Sequence, residues 1–331
     1  MKIKRLAALA LIGLCLTTGF CGCSYQGKTV YFDTSCGPAT VFKIGEMSCS
    51  KKEALVYLMN EKNIYGTVDG VNLWLSDFDT STIVGSLKDA VMDHLTKVYI
   101  LNLYGQSNDI ALTEDELTAC SQAGQAYYDS LTADEKSYTG ASKKSITQMY
   151  ERYALAEKVY RSLMNSVDEE VSEDEARVME AYVLFVSDQS KAEEIQGMID
   201  YGYTFERLAA TYTELDTYQV TFGRGQYDQA IDDVVFNLDT DQVSGAIEAD
   251  GGYYFFQCLN KYDEKLSEEN KTVIIENRRK QVLQDIVTSL QDQYYSNMNT
   301  ELWESVSITD DEAQNLTSDS FFSTLSEYVS F

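Results

Sequence analysis

Hydrophobic periodicity changes character twice along this chain, and those two changes bound what it can fold into. From Ser50 to Met164, and again from Ser267, apolar residues recur at helical spacing. The stretch between them follows no single period. Before the first helical region, TVYF (29–32) and TVFKIG (40–45) read as two strands around the turn DTSCGPA. Ser50-x-x-Glu53 then offers a helix cap ahead of ALVYLMNEKNIY, where Leu55, Leu58 and Met59 share one face. A longer helix is predicted over 81–104, with a stripe running through Val84, Leu87, Val91, Leu95 and Val98. Thr113-x-x-Glu116 and Thr132-x-x-Glu135 open two more, and SITQMYERYALAEKVYRSLM (145–164) is amphipathic throughout.

The acidic run VDEEVSEDEAR (167–177) marks the seam. Its carboxylates read as a solvated face, with Ser172-x-x-Glu175 as a plain cap, and not as a metal cluster. Beyond it lie the strand-like AYVLFV (181–186), helical KAEEIQGMIDYG and FERLAATYT, then VTFGRG, helical IDDVVFNL and a strand-like region ending at GGYYFFQC. Strands and helices alternate here without parallel βαβ units, so the fold class is α+β. From Ser267 a single long helix is predicted to about 305, followed by a polar tail whose late aromatics Phe321, Phe322, Tyr328 and Phe331 could dock it on the body or leave it loose.

The first residues speak to compartment. MKIKR is basic, LAALALIGLCL is apolar but shorter than a membrane span, and TTGFCGCS follows. This is the pattern of an exported lipoprotein, with 1–22 as signal peptide and Cys23, preceded by Gly22, as the lipidated residue; bulky Phe20 disfavours a cut before Cys21. Loss of Lys2, Lys4 and Arg5 would leave 23 of the 26 basic side chains against 53 acidic ones. Such an excess argues against phosphate neutralisation, hence against nucleic-acid binding, and against adsorption to anionic lipid except through acyl chains on Cys23. The remaining cysteines, Cys36, Cys49, Cys120 and Cys258, have no metal-binding spacing; Cys36 and Cys49 could pair across a hairpin or stay as thiols.

Three pieces of the middle region carry a resemblance. FERLAATYT (205–213), TFGRGQ (221–226) with the following YDQAIDDVVFNLDTDQVSGAI, and GGYYFF (251–256) together resemble the parvulin peptidyl-prolyl isomerase domain over 175–264. The flanking helices make the chain similar to the PrsA/SurA class of extracytoplasmic foldases. The resemblance implies a helical chaperone module with an inserted parvulin-like domain. Its parts are an N-terminal chaperone region (23–170), the domain itself (175–264), a C-terminal helix packing on the N-terminal region (265–306) and a polar tail (307–331). It implies unfolded secreted proteins as partners, attachment to the outer face of the cytoplasmic membrane through the lipid, and no cofactor or metal.

Prolyl isomerisation needs only an apolar pocket, desolvation and a geometry that favours the twisted amide. Parvulins supply two histidines in the sheet floor, an apolar shelf and a nearby Cys or Asp. The chain has one histidine, His94, on the predicted 81–104 helix and so outside the domain; it reads as an interhelical or surface residue. By the resemblance, Tyr182 and Tyr254 take the histidine places, Tyr227 and Ile231 the shelf, and Phe236 is kept, while Glu214, Asp216 or neither falls at the Cys/Asp place. Two phenols could preserve a hydrogen-bonded floor, but the preferred reading is ordinary sheet aromatics in a catalytically idle domain. Alternatives are an active isomerase, or a surface assembly lipoprotein using the fold as a docking platform. Hydrolase chemistry lacks a G-x-S-x-G elbow, and phosphate binding lacks a Walker lysine.

Overall fold

The computed structural model describes residues 36–68, 71–72, 80–293, 296–308 and 315–331. The leader, Cys23 and the TVYF strand lie outside the described residues. The chain is α+β and divides into two compact units, one built from residues up to Ser166 together with Leu283–Phe331, the other from Val167–Val282.

The first unit opens with β1 (Thr40–Ile44) and β2 (Met47–Ser50), an antiparallel hairpin turning at Gly45, whose φ of 56° suits a residue without a side chain. Sequence reading paired β1 with 29–32; here its partner on this side is the segment just after it. Cys36 and Cys49 are present as thiols, Cys36 donating to the Asn297 carbonyl at 3.9 Å and Cys49 to that of Ser50 at 3.7 Å. Ser50 caps α1 (Lys51–Tyr65), its hydroxyl accepting from Glu53 N at 3.3 Å. Short β3 (Thr67–Val68) and β4 (Val71–Asn72) follow. Then come α2 (Thr80–Ser107), α3 (Glu114–Ser130), α4 (Ala133–Thr139) and α5 (Lys143–Met164). Thr113 and Thr132 each close a reciprocal capping box with the glutamate three residues on.

Burial in this unit includes charge. Glu53, 1% exposed, accepts from Arg152 at 2.6 and 3.1 Å and from the Tyr99 hydroxyl at 2.8 Å. His94 is buried between helices, its Nδ1 2.8 Å from Glu61 Oε1. Each carboxylate is thereby partnered, as a buried charge requires.

The second unit begins with α6 (Glu173–Ala176), capped by Ser172, and β5 (Val178–Val186). It continues through α7 (Gln189–Asp200), α8 (Phe205–Tyr212), β6 (Gln219–Gly223), α9 (Gln229–Val235), β7 (Ile247–Ala249) and β8 (Gly252–Asn260). The four strands form an antiparallel sheet in the order β6-β5-β8-β7. Alternation along the strands splits it into two faces. Leu184, Val186 and Phe255 pack on α7 and α8 through Ala192, Ile195, Phe205 and Leu208. Met179, Ala181, Val183, Phe256 and Cys258 pack on α9 through Ile231 and Val235.

The predicted long C-terminal helix is interrupted. α10 (Glu264–Gln293) ends well before 305, and β9 (Ser296–Met298) then adds to the free edge of β1, pairing Phe42 with Met298 and Ile44 with Ser296. Asn299 starts a new helix, α11 (Thr300–Glu304), its side chain accepting from Leu302 N at 3.0 Å. Edge pairing and a fresh cap outweigh the apolar spacing that pointed to one helix. The tail is not merely polar: α12 (Phe321–Tyr328) buries Phe321, Phe322 and Leu325 in the first unit. Among the described residues no helix is long and apolar enough to cross a membrane.

Candidate functional site

The residues singled out by the parvulin resemblance fall on two faces of the second unit's sheet. In the β5–β8 register Tyr182 stands opposite Gln257, and Phe185 opposite Tyr254. Tyr254 therefore shares its side with Ala181, Val183 and Phe185, while Tyr182 points to the α7–α8 side, against Tyr218 at 5.7 Å between ring centres. Partial burial, then a hydrogen bond to Glu206 at the start of α8, holds the Tyr182 hydroxyl above the ordinary phenol range. The expected two-tyrosine floor is thus not formed. One step along a strand moves a side chain to the other face, so Ala181, Val183 and Phe185, not Tyr182, are the β5 residues on the Tyr254 side.

The other four come together. Ile231 and Phe236 are buried in the cluster under α9, Tyr254 is nearly so, and Tyr227 packs on its edge. Tyr227 lies edge-on to Phe222 (4.9 Å), Phe256 (5.5 Å) and Tyr254 (6.1 Å). Phe185 closes on Tyr254 at 4.6 Å, and a side chain at Gly252 would fall 2.4 Å from the Phe185 ring. Glycine there is what allows Phe185 to lie across β8. Behind the shelf, Phe236 packs against the guanidiniums of Arg224 (4.4 Å) and Arg177 (5.1 Å), both tied to Asp174.

Burial raises both Tyr227 and Tyr254, with Asp250 and Asp228 adding to the shift at Tyr254, so the phenols stay protonated at neutral pH. Glu214, proposed near the Cys/Asp place, spends its carboxylate on the amide of Ser187 at 3.2 Å; Asp216 is exposed, and Leu215 between them touches the cluster. The face is an aromatic floor with two phenol donors and no imidazole. It can pack an apolar ring and offer a hydrogen bond, with the carboxylates of Asp250 and Asp228 nearby. The sequence analysis did not single out Phe185, Phe222 or Val183; the β5–β8 register that puts Phe185 and Val183 on the Tyr254 side is not written in the apolar run AYVLFV.

The first unit holds a cavity of about 610 Å³ bounded by α2, α3, α5 and the turn after α2. Ile110, Ala111, Leu112, Leu117 and Leu155 give it apolar walls, and Asn102, Gln106, Gln148, Glu151 and Arg152 supply polar groups. Two of these are fixed. Asn102 Nδ2 donates to the carbonyls of Val98 and Arg152 at 2.8 Å, and Arg152 is held by Glu53. Leu117 is 37% exposed, an apolar side chain left open to a partner.

No family model matches the chain. It is 23% identical over 223 residues to foldase protein PrsA of Halalkalibacterium halodurans, covering 60% of this chain and 67% of that protein. Solved structures similar to it include peptidylprolyl isomerase PrsA from Bacillus cereus, at 18% identity and TM-score 0.40, covering 80% of this chain and 99% of that one. Foldase protein PrsA from Streptococcus pneumoniae is similar at 15% identity and TM-score 0.33, with 88% and 100% covered. A SurA-like chaperone of Campylobacter jejuni is similar at 11% and 0.26, with 78% and 98% covered. Over that 223-residue stretch the chain is similar to foldase protein PrsA.

Proposed function

We propose that this PrsA-like chain is an exported, lipid-anchored folding factor that binds unfolded secreted proteins, with its parvulin-like segment 175–264 retained as a degenerate isomerase domain. The observation that carries the binding function is the cavity walled by Ile110, Leu112, Leu117 and Leu155 in a chain whose sequence resembles a foldase. Apolar segments of a client would enter it through burial worth about 25 cal/mol per Å². Burial in so open a cavity, set against the costs of ordering, suits transient holding better than tight capture. Anchoring would come from Cys23, and the flanking regions 23–170 and 265–306 would serve as the chaperone module. Purified protein is expected to suppress aggregation of several unfolded clients; unchanged aggregation would remove this reading.

A second reading, a working isomerase, is favoured by Tyr227, Ile231, Phe236 and Tyr254 lying on one face. Against it stands the absence of any imidazole from that face and the packing of Phe185 onto Tyr254. Stabilising a twisted amide with one phenol hydrogen bond is worth about 1 kcal/mol, less than tenfold in rate. A protease-coupled X-Pro peptide assay separates the two: the idle domain predicts the rate of buffer alone.

A further inference from the structure

Residues 315–331 lie in the first unit as a peptide lies in a receptor. Their backbone is met by side chains from several helices. Asn60 Oδ1 accepts from Phe321 N at 3.0 Å, Glu135 Oε1 from Thr317 N and Ser318 N at 2.9 Å, while Asn63 and Tyr150 donate to the carbonyls of Ser318 and Phe321 at 2.8 Å. Two aromatic sockets follow. Phe321 stacks on Tyr150 at 4.5 Å and meets Tyr127 edge-on; Phe322 stacks on His94 at 5.3 Å beside Tyr57 and Tyr153. Side-chain recognition of main-chain groups, followed by sockets for two rings, is the logic of peptide recognition.

The resident also fits imperfectly. Among the described residues the Tyr57 hydroxyl and His94 Nε2 are buried with no hydrogen-bond partner, and both rings contact Phe322. Buried polar atoms left unmet lower the stability of the seated state, which a displaceable segment requires.

We propose that the groove between α1, α2, α3, α4 and α5 is a peptide-binding site for a non-helical Ser/Thr-bearing segment followed by two adjacent aromatic residues. Residues 315–331 are its resident ligand in cis, and segments of the same chemistry in unfolded exported chains compete for it. The competitor's identity rests on the chaperone reading above; the groove does not. A second copy of this chain could offer the same segment, and the test separates that case.

The test adds a fluorescently labelled peptide of residues 315–331 to the full chain and to a full-length Phe321→Ala/Phe322→Ala variant. The variant, its own segment loosened, is expected to bind at least tenfold more tightly than wild type. The peptide carrying the same two alanines should not bind. Equal binding to both proteins, or binding to neither while the variant keeps a cooperative melting transition, overturns the proposal. If the variant fails to fold, hydrogen exchange on the wild-type chain decides. Amides of Thr324 and Val329 exchanging ahead of those in the middle of α5 support a displaceable segment, and exchange only together with α5 overturns it. Dimers appearing at the wild-type chain's higher concentrations, without peptide exchange, would assign the segment to self-association and overturn it as well. The peptide assay contains no client, so its failure leaves the chaperone reading intact; failed aggregation suppression with intact peptide exchange removes that reading alone.

Discussion

A phenol can replace an imidazole only where it faces the same space, and Tyr182 does not face the space of Tyr254. Tyr182→Phe is therefore expected to leave any residual isomerase rate unchanged and to cost at most about 0.5 kcal/mol, as a partly exposed hydroxyl would; denaturant unfolding and the peptide assay check both parts. The buried Glu53–Arg152 pair behaves differently. Arg152→Met leaves the Glu53 carboxylate buried with Tyr99 as its remaining partner, and is expected to destabilise by about 3 kcal/mol in urea unfolding. Glu135 brings in pH. Burial opposes its charge, but hydrogen bonds from Thr132, Thr317 and Ser318 outweigh that and hold its carboxyl below the usual glutamate range. A depressed folded value means stability that is complete above the unfolded value of about 4.3 and is lost as pH falls through the folded one. Glu135→Gln should flatten that acid loss, read by thermal melts between about pH 6 and pH 3. At this scale the sequence revealed which aromatics gather near α9 and that imidazoles are missing. It hid the parity of Tyr182, because AYVLFV is buried on both faces and its apolar run shows no alternation to count.

Elements whose ends are written in side-chain chemistry were legible. Ser50, Thr113, Thr132 and Ser172 all cap helices where their spacing to glutamate indicates. Thr132→Ala is expected to lose about 1 kcal/mol, measured by thermal denaturation, since its hydroxyl bonds Glu135 N at 3.2 Å. The stretch near 294–299 was not legible, because Tyr294 and Met298 continue the helical spacing while the competing interaction, the open edge of β1, lies far away in sequence. Asn299 was the local clue. The tail's composition left docking and looseness both open; its burial rests on Leu316, Phe321, Phe322 and Leu325 among polar neighbours whose backbone is satisfied by Asn60 and Glu135. Truncation after Gln293 removes β9 and this segment together, and should lower the melting temperature of the first unit by circular dichroism while leaving its transition cooperative.

Over the whole molecule, 53 acidic against 26 basic side chains set the terms of encounter with any client. A net charge of −27 favours basic unfolded chains, so capture of such clients should weaken between low and physiological salt, where screening shortens to about 8 Å. Export and anchoring at Cys23 stay a proposal that rests on a basic start, an apolar run and a cysteine after glycine. On the proposed reading the chain holds unfolded proteins without needing proline chemistry. The most direct test of that reading is light scattering from a secreted protein diluted out of denaturant, with and without the purified chain. Scattering that falls with added chain toward equimolar amounts is the predicted result, and scattering unchanged across several clients at excess chain would contradict it.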